Sequence, residues 1–153
     1  MSKIYRAYYE QHLKSDIDTV WKFISNPLNL KTITPEYMNF EVISGLDIGT
    51  MYEGQIICYR VSPMHGIRTT WVTEISHMES GKYFVDEQRF GPYSFWHHKH
   101  FINAHPEGVM MYDIIDYKIP YGWVGDVANM LFVRRKIDEI FEYRKVVLNN
   151  IFS

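Results

Sequence analysis

Residues 95–119 read Phe95-Trp96-His97-His98-Lys99-His100-Phe101-Ile102-Asn103-Ala104-His105-Pro106-Glu107-Gly108-Val109-Met110-Met111-Tyr112-Asp113-Ile114-Ile115-Asp116-Tyr117-Lys118-Ile119. Two strand-like segments flank the turn-rich stretch from Ala104 to Gly108, the pattern of a β-hairpin. With Pro106 and Glu107 as a two-residue turn, His100 falls opposite Asp113, His98 opposite Ile115 and Trp96 opposite Tyr117. Side chains alternate across a strand, so these six share one face. Trp, Tyr, Ile and Met beside two His and an Asp are too apolar for open solvent and too polar for a dry core. A cavity wall meets both conditions.

Working outward, strand patterns over 40–44, 51–61, 67–76, 82–90, 95–103 and 109–119 are separated by short turn-forming stretches. Short links between consecutive strands imply an antiparallel meander. Before it, 3–13 alternates Tyr5, Ala7, Tyr9 and Gln11 against Arg6, Tyr8, Glu10 and His12. Ser15-Asp16-Ile17-Asp18 reads as a capping box in which Ser15 and Asp18 satisfy the first free amides. The helix it starts carries Ile17, Val20, Trp21 and Ile24 and stops at Asn26-Pro27. A second short helix is expected over 28–33, ahead of Pro35.

After Pro120-Tyr121-Gly122 the period is helical from 124 to 151, a rod of roughly 40 Å. Val133, Ile137, Ile140, Phe141, Leu148 and Ile151 form its apolar stripe, opposite Arg135, Asp138, Glu139, Glu142, Lys145 and Asn149. Arg144 falls within that stripe. It must snorkel, pair with a carboxylate or clamp one on a ligand, because unpaired burial costs several kcal/mol. The order is β-α-α-β6-α, an α+β fold in which a curved sheet wraps the terminal helix. A sheet bent that strongly cannot close fully on one rod, so a hollow is expected between them.

With 153 residues, 46% hydrophobic and 22% charged, the chain is expected to be one globular domain over 1–153. A net charge of −2 without a basic run argues against nucleic-acid binding through phosphates. No apolar run reaches membrane-spanning length, and Met1 to Arg6 lacks the core of a signal peptide. The single cysteine, Cys58, is expected as a buried packing residue in a reducing cytoplasm. Twelve Tyr, nine Phe, four Trp and eight Met fill either an ordinary core or an adaptable pocket for a flat or greasy ligand. Composition leaves both open.

Several motifs, spread over essentially the whole length, resemble the START-related, birch-pollen-allergen-like superfamily called SRPBCC. Val20-Trp21-Lys22-Phe23-Ile24-Ser25-Asn26-Pro27, Asn29-Leu30 and Ile33-Thr34-Pro35 look like its two-helix entry. The most specific part is Phe84-x-Asp86-x-Gln88-x-x-Gly91-Pro92-Tyr93 followed by Trp96-x-His98-x-His100-Phe101. Asp113, Tyr117, Pro120-Tyr121-Gly122 and Ile140-Phe141-x-Tyr143-Arg144 complete it. The superfamily includes polyketide cyclases/dehydratases and lipid-transfer proteins, and the likeness is to single-domain bacterial ligand-binding members. It implies a helix-grip fold with a seven-stranded sheet and an internal cavity, and supplies no substrate or cofactor.

His98, His100 and Asp113 therefore carry three open readings. They are a hydrogen-bonded polar patch, a facial ligand set for a metal, or acid–base groups on a substrate. A metal is not expected, since no further ligand is evident and the resembled family does not generally use one. Asp86 and Gln88 share a face with Phe84 and are expected inside, provided the Gly91-Pro92-Tyr93 turn does not shift their register. Phe84, Trp96, Met111, Ile115, Tyr117, Ile137 and Phe141 are the expected apolar lining. Asp86, Gln88, His98, His100, Asp113 and Arg144 are the expected polar set. His12, His65, His77 and His105 are expected in solvent, and His97, Lys99, Asp116 and Lys118 on the outer face. The expected function is binding of a small hydrophobic or aromatic molecule with a polar end, by a monomer or weak homodimer. A cyclase- or dehydratase-type enzyme and a protein-interaction module are the alternatives.

Overall fold

A computed structural model of the chain describes residues 3–46, 49–64 and 66–153. His65 lies outside the described residues. Strands β1 (Tyr5–Leu13), β2 (Glu41–Ser44), β3 (Ile56–Met64), β4 (Ile67–Glu79), β5 (Tyr83–Phe90), β6 (Phe95–His105) and β7 (Gly108–Lys118) form one antiparallel sheet. Its order is β1-β7-β6-β5-β4-β3-β2, a meander whose last strand returns beside the first. Helix α1 (Ile17–Ile24) and two 3-10 turns, Pro27–Leu30 and Glu36–Met38, link β1 to β2. The C-terminal rod comprises α2 (Gly122–Ala128), a π-helical turn (Asn129–Val133) and α3 (Arg134–Ile151). This is the helix-grip arrangement that the element order implies.

The decisive hairpin has the register read from its turn: His100 pairs with Asp113, His98 with Ile115 and Trp96 with Tyr117. Gly108 closes that turn where β7 meets the end of β1. A Cβ there would sit 2.1 Å from the Leu13 carbonyl oxygen, so no larger residue fits this approach. The sheet bends because bulges interrupt the β3–β4 pairing between Val61 and Met64 and the β4–β5 pairing at Val72/Thr73 and Ile75/His77. Each extra residue increases local twist and turns the strand.

Some local expectations change. Asp16, not Ser15, caps α1, accepting from Thr19 N at 2.9 Å and Thr19 Oγ1 at 2.8 Å. The segment expected as a second helix is a 3-10 turn, tied by Asn26 Oδ1 accepting from Leu28 N. β3 begins at Ile56 rather than 51, because the buried Gln55 closes a turn, accepting from Tyr52 N and donating to the Gly45 carbonyl. Cys58 is half-buried beside inward-facing Ile57 and Tyr59, not in the core.

On α3, Ile137, Phe141, Arg144 and Leu148 are buried, whereas Ile151 is exposed and Phe152 takes the buried place instead. Tyr9 and Gln11 anchor this helix to β1. The Tyr9 hydroxyl donates to Asp138 at 2.6 Å and its ring stacks on Phe141, while the Gln11 amide donates to Lys145 O and Asn149 Oδ1. At the π-helical turn, buried Asn129 accepts from the Tyr117 hydroxyl at 2.7 Å.

Buried apolar side chains form two clusters. One contains Leu13, Trp21, Val109, Met111 and Leu148; the other contains Ala7, Ile115, Tyr117, Ile137 and Phe141. On β7, Asp113 stands between Met111 of the first and Ile115 of the second, so the polar residues divide the core. Tyr121, Trp123, Met130, Leu131 and Phe132 stand largely in solvent. No helix among the described residues is long and apolar enough to cross a membrane.

Candidate functional site

Between the concave sheet face, the 3-10 turns and α3 lies a cavity of about 190 Å³. Phe40, Tyr59, Ile75, Phe84, Trp96 and Phe141 are among the residues that line it. At one side Trp71, Tyr93 and Trp96 meet ring to ring, with centroids 4.7–5.6 Å apart. Asp86, His98, His100, Lys136 and Arg144 bring acidic and basic groups to this otherwise mainly apolar boundary.

Two carboxylates bracket two imidazoles. His98 Nε2 is 2.8 Å from Asp113 Oδ1, and His98 Nδ1 is 3.5 Å from Asp86 Oδ2. His100 Nε2 is 2.5 Å from the same Asp86 oxygen. Its Nδ1 lies 3.0 Å from Asp113 Oδ1, in an alignment that makes no hydrogen bond. The His100 ring also stacks on Phe84, with centroids 4.1 Å apart. Arg144 reaches in from α3, Nη2 being 3.9 Å from Asp113 Oδ1. Its Nε is buried and unpartnered, and its guanidinium lies over the Phe141 ring.

Burial disfavours charge on His98, and positive His100 beside it adds to this, so its pKa falls to about 4 despite both carboxylates. The same burial acts on His100, but its contacts with Asp113 and Asp86 prevail and raise its pKa. Burial would raise Asp113, yet Arg144 and the two imidazoles hold it well below the usual carboxylate range. For Asp86, burial is likewise outweighed, by His98 and His100, and the pKa is lowered. At pH 6.5, where its raised pKa keeps His100 mostly protonated, the favoured set is Asp86⁻, Asp113⁻, His100⁺, Arg144⁺ and neutral His98. An ionised carboxylate only accepts, so His98 holds its proton on Nε2 toward Asp113 and leaves Nδ1 as a bare acceptor.

The expected site residues divide by position. Phe84, Asp86, Trp96, His98, His100, Ile137, Phe141 and Arg144 border the cavity. Asp113 stands behind the imidazoles, so Asp86 is the carboxylate on the cavity side. Met111, Ile115 and Tyr117 share the inward face as expected, but they are packed into the core and do not line the hollow.

Gln88 also leaves the expected lining. Its amide donates to the Tyr93 carbonyl and accepts from Tyr93 N, closing the turn on itself. Gly91 permits this, since a Cβ there would lie 2.6 Å from Gln88 Oε1. On the outer face, Asp116 pairs with Arg6 and Lys99.

Sequence reading missed the opposite wall: Ile33, Met38, Phe40, Tyr59, Trp71 and Tyr93. The alternation Ile57, Tyr59, Val61 marked an inward face of β3. Nothing local indicated that the 3-10 segment would cover it. Asp86, His98 and His100 offer three ligand-type atoms within 4.8 Å of one another, the one such group among the described residues.

No protein-family model matches the chain, and no curated protein does. Solved structures match over nearly the full length at low identity. Protein CV1439 from Chromobacterium violaceum is 13% identical with a TM-score of 0.73, covering 96% of each chain. Ginseng major latex-like protein 151 from Panax ginseng is 13% identical with a TM-score of 0.71, covering 97% of each. A point mutant of norcoclaurine synthase from Thalictrum, solved with a transition-state analogue, is 10% identical with a TM-score of 0.68, covering 100% of this chain and 99% of that one. The ginseng and Thalictrum proteins have the SRPBCC, birch-pollen-allergen-like fold, and that is the fold of this chain.

Proposed function

We propose that this protein binds a compact, largely apolar molecule whose polar end meets the wall formed by Asp86, His98, His100 and Arg144. The observation that carries this reading is the hollow itself, lined mainly by rings and aliphatic groups with ionisable groups among them. Its volume sets a scale, because an apolar cavity of about 150 Å³ already accepts benzene. At about 190 Å³ the cavity suits one or two fused rings without displacement of its walls.

The test is native mass spectrometry for a co-purifying molecule, joined to thermal unfolding with naphthalene-sized probes. Saturation at 100 times Kd stabilises by about 2.7 kcal/mol, a shift of roughly 5–10 °C for a chain of this size. No co-purifying mass and no shift with any apolar probe would overturn the reading.

A second reading, proton transfer on the bound molecule, draws on the bare His98 Nδ1 facing a protonated His100 across Asp86. Under it, His98→Gln abolishes turnover while binding persists. Retained turnover in that variant excludes it.

A further inference from the structure

Arg144 is only 7% exposed, yet its nearest carboxylate contact is a distant 3.9 Å. Its Nε has no hydrogen-bond partner, and the residue borders the cavity. A buried guanidinium left partly unpaired costs stability unless something completes its set of acceptors. The other nearby groups do not. Asp113 already receives His98 and sits close to His100, and Asp86 is occupied by His100. Phe141 gives Arg144 only a ring face, at 5.5 Å. Among the lining residues, Lys136 is directed to Glu139 and the Tyr37 ring.

Resting on the reading above, we infer that the polar end of the ligand is a carboxylate or similar planar oxyanion, held by the Arg144 guanidinium. Two parallel N–H donors of the fork match two carboxylate oxygens, which gives orientation as well as affinity. The aromatic lining takes the rest of the molecule.

Charge accounting adds a signature. With His100 protonated, Asp86, Asp113, His100 and Arg144 balance one another, so an entering anion leaves one negative charge in a poorly solvated site. The group that responds is His100, the more basic imidazole, which faces Asp86 from β5, Asp113 from β7 and His98 from its own strand, with Arg144 approaching Asp113 from α3. An anion beside His100 raises its pKa further, so on the alkaline side of that pKa binding is accompanied by proton uptake, measurable in buffers of different ionisation enthalpy.

The experiment compares 2-naphthoate, 2-naphthamide and naphthalene on the intact protein by isothermal titration. The acid is expected to bind on the order of 10- to 100-fold more tightly than the isosteric amide, taking up protons on the alkaline side of the His100 pKa. Arg144→Met is expected to remove that preference, and Arg144→Lys to reduce it by keeping the charge without the fork. Should Arg144→Met fail to fold, the wild-type comparison and Arg144→Lys decide. Amide and acid binding equally well to wild type would overturn the carboxylate clamp while leaving the apolar cavity in force. If none of the three probes binds, the cavity reading falls and the clamp falls with it.

Discussion

The His98 and His100 rings lie with centroids 3.6 Å apart and an angle of 32° between them, sharing Asp86 on one side and Asp113 on the other. Two imidazoles so close cannot both be charged without a large penalty. The proton settles on His100, whose contacts with the carboxylates favour it more than burial opposes it.

That asymmetry gives stability a maximum near the ordinary histidine pKa. His98 has a lowered pKa, so between about pH 6.5 and 4 the unfolded chain binds a proton that the folded chain refuses, and stability falls as pH drops. His100 has a raised pKa, so its contribution is complete below pH 6.5 and is lost as pH rises through its folded value. Each limb has a limiting slope of about 1.4 kcal/mol per pH unit. Urea unfolding from pH 4.5 to 8.5 should show His98→Asn flattening the acid limb and His100→Asn the alkaline one. Identical profiles for wild type and both variants would refute the assignment.

Asp113 is the more costly carboxylate to lose. Asp113→Asn leaves Arg144 without its buried counter-charge, and breaking such a pair costs about 3–5 kcal/mol. Asp86, with a side chain 19% exposed against 6% for Asp113, should cost less as Asp86→Asn. Combining Asp113→Asn with Arg144→Met should cost less than the sum of the two single changes. Additive losses in chemical denaturation would show that the two residues do not interact.

Tyr117 and Asn129 test structure separately from binding. Their buried hydrogen bond ties the π-helical turn to the end of β7, and neither residue lines the cavity. Tyr117→Phe orphans the Asn129 amide oxygen, for about 1–3 kcal/mol. Probe affinity should stay within a factor of about 3 of wild type, well under the tenfold that 1.4 kcal/mol represents. A larger change in affinity would mean that the turn shapes the pocket.

Gln88 acts on the cavity through Tyr93. Gln88→Ala removes two hydrogen bonds to the Tyr93 backbone and should cost about 1–3 kcal/mol. It should also weaken probe binding, because Tyr93 packs on Trp71 and Trp96 in the lining. Gly91→Ala, which places a methyl against the Gln88 side chain, should act in the same direction. Tryptophan fluorescence and probe titration measure both effects. Unchanged affinity in both variants would leave Gln88 with a role in the turn alone.

Where the chain spells out a local rule, the sequence was sufficient. Turn length and alternation paired His100 with Asp113, helical spacing placed Ile137, Phe141, Arg144 and Leu148 on one buried face, and short links required a meander. These are properties of neighbours along the chain, decided by backbone geometry over a few residues. The tertiary structure alone chose Asp86 over Asp113 for the cavity side, and it drew Gln88 away into its own turn. It also packed Met111, Ile115 and Tyr117 under the helix and brought the 3-10 segment across as the opposite wall. Those outcomes depend on how far the bulges bend the sheet and where the terminal helix seats against it. Curvature and packing sum over residues distant in sequence, so no single stretch of the chain contains them.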